Sequence, residues 1–205
     1  MLLINTYYTD PMDKISYALG LSIANNFASS GITGVNINEF VKGLTDVIEG
    51  KELAISYEEA QQLINEYFTK LQGERIQLNK AAGEEFLAIN KEREGVVTLA
   101  SGLQYQILTA GTGNKPKKTD TVRCHYHGTL INGTVFDSSV QRGQPAEFGV
   151  TQVIPGWVEA LQLMPVGSKW RLFIPSHLAY GERGAGEMIE PNSTLIFDVE
   201  ILEIV

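Results

Sequence analysis

The 205-residue chain has a single cysteine, Cys124, so no intrachain disulfide can form. Its fold must therefore rest on packing, and the thiol usage fits a reducing compartment. No stretch reaches the roughly 20 apolar residues needed to cross a bilayer. There is no excess of positive charge: 24 acids against 16 bases give a formal net charge of −8. A nucleic-acid binder carries a basic face, so that class is disfavoured. Lys115, Lys117 and Lys118 cluster, but they read as a solvated turn. The opening Met1-Leu2-Leu3-Ile4-Asn5-Thr6 lacks a basic n-region and a long apolar h-region and does not read as a signal peptide. A cytoplasmic location is expected, with a periplasmic or surface location as the alternative if a leader has been removed.

Conventional catalytic sets are also missing. The sequence has no phosphate-binding P-loop, no G-x-S-x-G, no H-E-x-x-H and no C-x-x-C. His125 and His127 share one strand face and His177 is remote, so surface histidines are a better reading than a metal site. No metal and no cofactor are expected. Asn132-Gly133-Thr134 and Asn192-Ser193-Thr194 match a glycosylation pattern but read as turns.

Proline is scarce before residue 95, where only Pro11 occurs; the other six prolines follow it. The first half is helical in period. Asp13 is a good N-cap for a helix carrying Ile15, Leu19, Ile23 and Phe27, which Gly31 stops. Asn36 and Glu39 open a second helix with Phe40, Val41, Leu44, Val47 and Ile48, ended by Gly50. Ser56 and Glu59 form a capping box before Ala60, Leu63, Ile64, Tyr67, Phe68 and Leu71. That third helix extends to about Arg93, with Gly73 and Gly83 weakening it. Its apolar face thins after Leu71, so the far half is expected to act as a spacer. Helices this few bury too little surface alone. A homodimer through the N-terminal helices is therefore expected, two-fold pairing being the commonest solution.

The second half alternates with period two. Val122, Cys124, Tyr126, Gly128 and Leu130 interleave with polar residues, and the hairpin signal Asn132-Gly133 follows. Trp170, Leu172 and Ile174 mark another strand, and Leu195, Phe197, Val199 and Ile201 mark the last. Between them, Pro155 suits a helix first turn, with Trp157, Val158, Leu161 and Leu163 behind it. The fold class is α+β. An antiparallel half-barrel sheet wraps a short helix, preceded by an all-α domain and a long connecting helix. The boundaries are 1–55 for the helical domain, 56–94 for the connecting helix and 95–205 for the sheet domain.

Aromatic and aliphatic residues recur at turns and element ends: Cys124-His125-Tyr126-His127-Gly128, Phe136-Asp137-Ser138-Ser139, Phe148, Val153-Ile154-Pro155-Gly156-Trp157, Leu178-Ala179-Tyr180-Gly181 and Thr194-Leu195-Ile196-Phe197-Asp198. Each alone is compatible with core packing. Together and in this order they resemble the FKBP family of peptidyl-prolyl cis–trans isomerases, over essentially all of 95–205. From Asp13-Lys14-Ile15-Ser16 onward, the first half is similar to the helical domain of two-domain bacterial members of the macrophage infectivity potentiator type.

The resemblance implies a substrate pocket. Trp157 is its floor, Tyr126, Phe136, Val153, Ile154, Ile189 and Phe197 form its walls, and Phe148 is a further substrate-binding position. The Ile154 N–H and the Tyr180 hydroxyl hold the peptide, and Asp137 stands at the edge. Tyr126, Asp137, Ile154 and Tyr180 are thus the candidate catalytic residues. The implied ligands are proline-containing polypeptides and macrolide inhibitors. Ala146 stands where drug-binding members have a wall aromatic, and Glu190 where many members have proline. The implied activity is X–Pro isomerisation in unfolded or partly folded proteins, assisted by a chaperone-like dimer. The alternatives are a chaperone whose isomerase activity is secondary, or a degenerate domain kept as a scaffold.

Overall fold

A computed structural model describes residues 13–205, so the expectation drawn from Met1–Thr6 lies outside the described residues. The chain divides into two compact units, with the boundary between Gln72 and Gly73.

The first unit contains α1 (Lys14–Ser29), α2 (Ile37–Ile48) and the start of α3 (Tyr57–Asn90). The sequence signals set their ends. The Asp13 carboxylate accepts from the Ile15 N–H at 3.0 Å and the Ser16 hydroxyl at 2.6 Å. Asn36 Oδ1 accepts from the Asn38 and Glu39 N–H groups, and Ser56 Oγ from the Glu59 N–H at 3.0 Å. These bonds satisfy first-turn donors that have no helical partner. Gly31 takes φ +71°, which a side chain would disfavour. Phe27 packs edge-on against Phe40 at 5.4 Å, and the Tyr67 hydroxyl donates to Thr33 O at 3.1 Å. Little else is covered: among the described residues of this unit only Asp46 is buried.

The second unit holds the rest of α3 and a seven-stranded antiparallel sheet. Its strands are β1 (Val96–Thr98), β2 (Gln104–Thr109), β3 (Thr121–Leu130), β4 (Val135–Ser138), β5 (Ala146–Gly149), β6 (Lys169–Ile174) and β7 (Leu195–Ile204). Their order is β1-β2-β6-β7-β3-β4, and β5 pairs with the other end of β3. The period-two pattern of β3 is borne out, with Val122, Cys124, Tyr126 and Gly128 buried. β1, β2 and β5 were not marked by the sequence pattern; they are short or mostly polar. The turn after β3 is longer than a two-residue hairpin. Only Gly133 has positive φ, and the Leu130 N–H donates across it to Thr134 O at 2.9 Å.

α4 (Pro155–Leu161) packs on the sheet with Trp157, Ala160 and Leu161 buried, joined by Met164 beyond its end. Gly156 makes this approach possible, since a Cβ there would lie 2.6 Å from Ile174 Cγ2. The expected spacer is not observed. The last part of α3 docks on the sheet domain, which is why the compact unit starts near Gly73 and not at residue 95. Gly83 is buried against Thr194, Phe86 meets Phe173 at 6.0 Å, and buried Asn90 donates to Gln104 Oε1 at 2.9 Å. Gly83, read in the sequence as a weakness, is needed for contact, because a Cβ there would lie 2.3 Å from Thr194 Oγ1.

Candidate active site

The cleft is built by three neighbouring features of the second unit. Pro155 at the start of α4 confines Ile154 to extended geometry, φ −59° and ψ 149°. That turn leaves the Ile154 N–H without a hydrogen bond among the described residues, while the Ile154 carbonyl accepts from the Trp157 and Val158 N–H groups. Gly128 on β3 clears space for two rings: a Cβ there would lie 2.7 Å from Phe136 and 2.8 Å from Phe197. The loop Gly181–Thr194 then closes the far wall with Met188 and Ile189.

The result is an apolar cleft of about 650 Å³. Trp157 lies beneath it, 4% exposed. Its ring meets Tyr126, Phe148 and Phe197 nearly edge-on at centroid distances of 5.6, 5.6 and 5.2 Å. Phe136 packs edge-on to Phe197 at 5.3 Å. All ten sequence-predicted residues line this one cleft: Tyr126, Phe136, Asp137, Phe148, Val153, Ile154, Trp157, Tyr180, Ile189 and Phe197. A cleft of similar size, about 640 Å³, lies along α3 and includes Lys80, Glu84, Lys91, His177 and Glu182. It has no aromatic floor and offers mixed charges instead of a dry surface.

One polar network edges the aromatic cleft. The Tyr126 hydroxyl donates to Asp137 Oδ2 at 2.6 Å. Arg142 Nη2 donates to the same hydroxyl at 2.7 Å, and Arg142 Nη1 bonds Asp137 Oδ1. The guanidinium carbon also lies 5.5 Å from the Tyr126 ring centroid. Partial burial pushes the Asp137 carboxyl up, but hydrogen bonds from Tyr126 and Arg142 and the guanidinium charge outweigh it. The carboxyl is thus held below its ordinary range and is charged at neutral pH. Burial, and then donation to Asp137, raise the Tyr126 phenol above its ordinary value. Arg142 escaped the sequence reading. It sits in the irregular segment between β4 and β5, where no periodicity marks a residue, and only its nearness to Asp137 offered a clue.

The histidines stand apart from the cleft. His125 Nδ1 lies 3.1 Å from Ser139 Oγ and His127 Nδ1 lies 3.0 Å from Ser138 Oγ. Both are half-buried, not on an open solvent face as expected, because the chain beyond β4 covers them. Ala146 lies on β5 opposite Cys124, away from the cleft lining. Glu190 faces α3, where its carboxylate accepts from Asn79 at 3.0 Å.

An antiparallel sheet packed on one short helix, with an aromatic cleft floored by Trp157 and edged by Tyr126 and Asp137, is the fold and site of a prolyl-isomerase class of protein. A family profile described as FKBP-type peptidyl-prolyl cis-trans isomerase matches residues 112–202. A second, the domain amino terminal to FKBP-type peptidyl-prolyl isomerase, matches residues 12–107. The chain is 49% identical to the FKBP-type 22 kDa peptidyl-prolyl cis-trans isomerase of Escherichia coli K12, over 93% of this chain and 94% of that one. It is 46% identical to the outer membrane protein MIP of Legionella longbeachae, over 97% of this chain and 88% of that one. The crystal structure of FkpA from Escherichia coli superposes with a TM-score of 0.76 at 35% identity, covering 96% of this chain and 97% of that one. The chain belongs to the FKBP-type peptidyl-prolyl cis–trans isomerases. The cytoplasmic expectation gains no support from these relatives; the envelope alternative fits the one named as an outer membrane protein.

Proposed function

We propose that the chain isomerises X–Pro bonds of unfolded or partly folded polypeptides in the cleft over Trp157. The convergence of ten residues from separate segments on one aromatic cleft carries this reading. Trp157 receives the pyrrolidine ring, and Phe136, Phe148, Val153, Ile189 and Phe197 enclose it. The Ile154 N–H and the Tyr180 hydroxyl hold the peptide, while Tyr126 and Asp137 set the field at the edge.

Such a site needs no bond-forming group. Amide resonance gives rotation a barrier of roughly 18–20 kcal/mol, so X–Pro bonds interconvert over tens to hundreds of seconds. The twisted transition state has lost that resonance and its charge separation. An apolar cleft therefore disfavours the planar amide relative to the twisted one. Fixed donors favour the twisted geometry further, which is selective binding of the transition state. A million-fold acceleration requires about 8 kcal/mol in total. Asp137 orients Tyr126 and supplies negative potential; rotation transfers no proton.

Cis–trans exchange of a short X-Pro peptide, with a macrolide FKBP ligand as competitor, tests the site. Acceleration abolished by the macrolide supports the cleft; acceleration untouched by it places catalysis elsewhere. Asp137→Ala is expected to lower kcat/KM roughly tenfold, equivalent to about 1.4 kcal/mol. Its stability cost should stay below about 1 kcal/mol because the ion pair with Arg142 is half-exposed. Wild-type exchange rates in that variant would refute its role.

The first unit supports a homodimer. Ile15, Leu19, Val41, Leu44, Val47 and Phe68 are each more than two-fifths exposed. A set that apolar on helices with one buried residue calls for a second copy. Sedimentation at micromolar concentration should give twice 22.6 kDa; a monomer would overturn the dimer. Paired copies would also offer unfolded chains a binding surface beside the isomerase. An envelope location is the reading favoured by the one relative named as an outer membrane protein, and cell fractionation tests it.

A further inference from the structure

The loop Gly181–Thr194 forms one side of the cleft, with Gly181, Gly184 and Gly186 all at positive φ. It is closed on itself by local bonds. The Ala185 N–H donates to Ile189 O at 2.8 Å, the Ile189 N–H to Ala185 O at 3.2 Å, and the Asn192 N–H to Gly181 O at 2.8 Å. Ser193 Oγ donates to Glu190 O at 2.7 Å. Polar contacts tie this loop to α3. Asn79 Nδ2 donates to Glu190 Oε2 at 3.0 Å and to Pro191 O at 3.1 Å, and Arg75 Nε lies 3.3 Å from Glu190 Oε1. One turn onward, Gly83 packs against Thr194 at the loop's end.

We propose that Asn79 and Arg75, acting through Glu190, are positioning residues that hold the Ile189 wall at the spacing a bound proline ring fills. The proposal rests on the cleft being the catalytic site. Ile189 is 8% exposed, lines the cleft and is bonded directly to Glu190, so a displacement of Glu190 moves the wall itself. A loop with three glycines has much conformational entropy to lose on ordering. The clamp orders it before substrate arrives; without the clamp, substrate binding must do so. The loss therefore falls on binding, with turnover of the bound peptide little changed. Glu190, which stands where many family members have proline, here exchanges a stiff backbone for a side-chain tether to the helix.

The test uses the full chain and saturation kinetics on a short X-Pro peptide. Asn79→Ala and Glu190→Ala should each raise KM about fivefold, the weight of a lost charge-assisted bond. Turnover should stay within about twofold of wild type. The double variant should be little worse than either single one, since both remove the same contact. Asn79→Lys, which restores a donor to the Glu190 carboxylate, should recover KM only when Glu190 is present. A folding defect alone does not give that rescue. Unchanged KM in both single variants, or a fall in kcat equal to the rise in KM, overturns the clamp. If Trp157 and Asp137 variants keep wild-type activity while the clamp variants also leave KM unchanged, the cleft assignment fails instead.

Discussion

Trp157→Ala is expected to abolish measurable acceleration of X-Pro exchange and to destabilise the second unit by about 3–5 kcal/mol. Both effects have one origin. The indole is 4% exposed and touches three other aromatic rings of the cleft within 5.2–5.6 Å. Removing it leaves a hole that Tyr126, Phe148 and Phe197 cannot fill without leaving their edge-on geometry. It also takes away the surface on which a pyrrolidine ring would rest. Trp157→Phe separates the two consequences. It keeps an aromatic floor and most of the buried contact, so its stability should fall much less than that of the alanine variant. Its activity should fall between wild type and alanine. Urea denaturation gives the stability and peptide exchange gives the activity. An alanine variant that is folded and fully active would remove Trp157 from the site.

How far the sequence disclosed this arrangement depends on the kind of interface concerned. β3 was legible because one face is buried and the other is not, so alternation follows from the pleat. Pro155 announced the first turn of α4 through its fixed φ and missing N–H. The cleft residues were legible as a set, since their order matched a family whose folded geometry brings them together. β1 and β2 were not, because Val96–Thr98 is three residues long and Gln104–Thr109 mixes polar and apolar side chains on half-open faces. Arg142 was missed because its partners, Tyr126 and Asp137, are chosen by tertiary approach. The docked end of α3 was missed for a different reason. Its contact face contains Asn79, Gly83 and Asn90, small or polar residues that a search for apolar periodicity assigns to solvent. A close helix–sheet contact can be made by removing a side chain, as at Gly83, and by hydrogen-bonding an amide, as at Asn90.

That docked helix leads to a large difference between two truncations. A chain starting at Gly73 should keep the stability of the second unit, whereas one starting at Gly95 should lose about 4 kcal/mol. The shorter chain strips Phe86 from Phe173, which is 2% exposed in the intact unit. Exposing such a ring costs about 1.5–3 kcal/mol. It also removes Asn90 and the Leu87 carbonyl, each 2.9 Å from the Gln104 side-chain amide, and those bonds are worth about 0.5–1.5 kcal/mol apiece. For a domain of this size the loss should appear as a midpoint roughly 15–25 °C lower in thermal unfolding. Small X-Pro peptides should be turned over normally by the chain starting at Gly73. The chain starting at Gly95 should show a raised KM even where it is folded, because it lacks Asn79 and Arg75. Equal midpoints for the two truncations would restore the reading of α3 as a spacer. The predicted gap instead makes the last third of the helix part of the isomerase unit, which agrees with a compact unit that begins at Gly73.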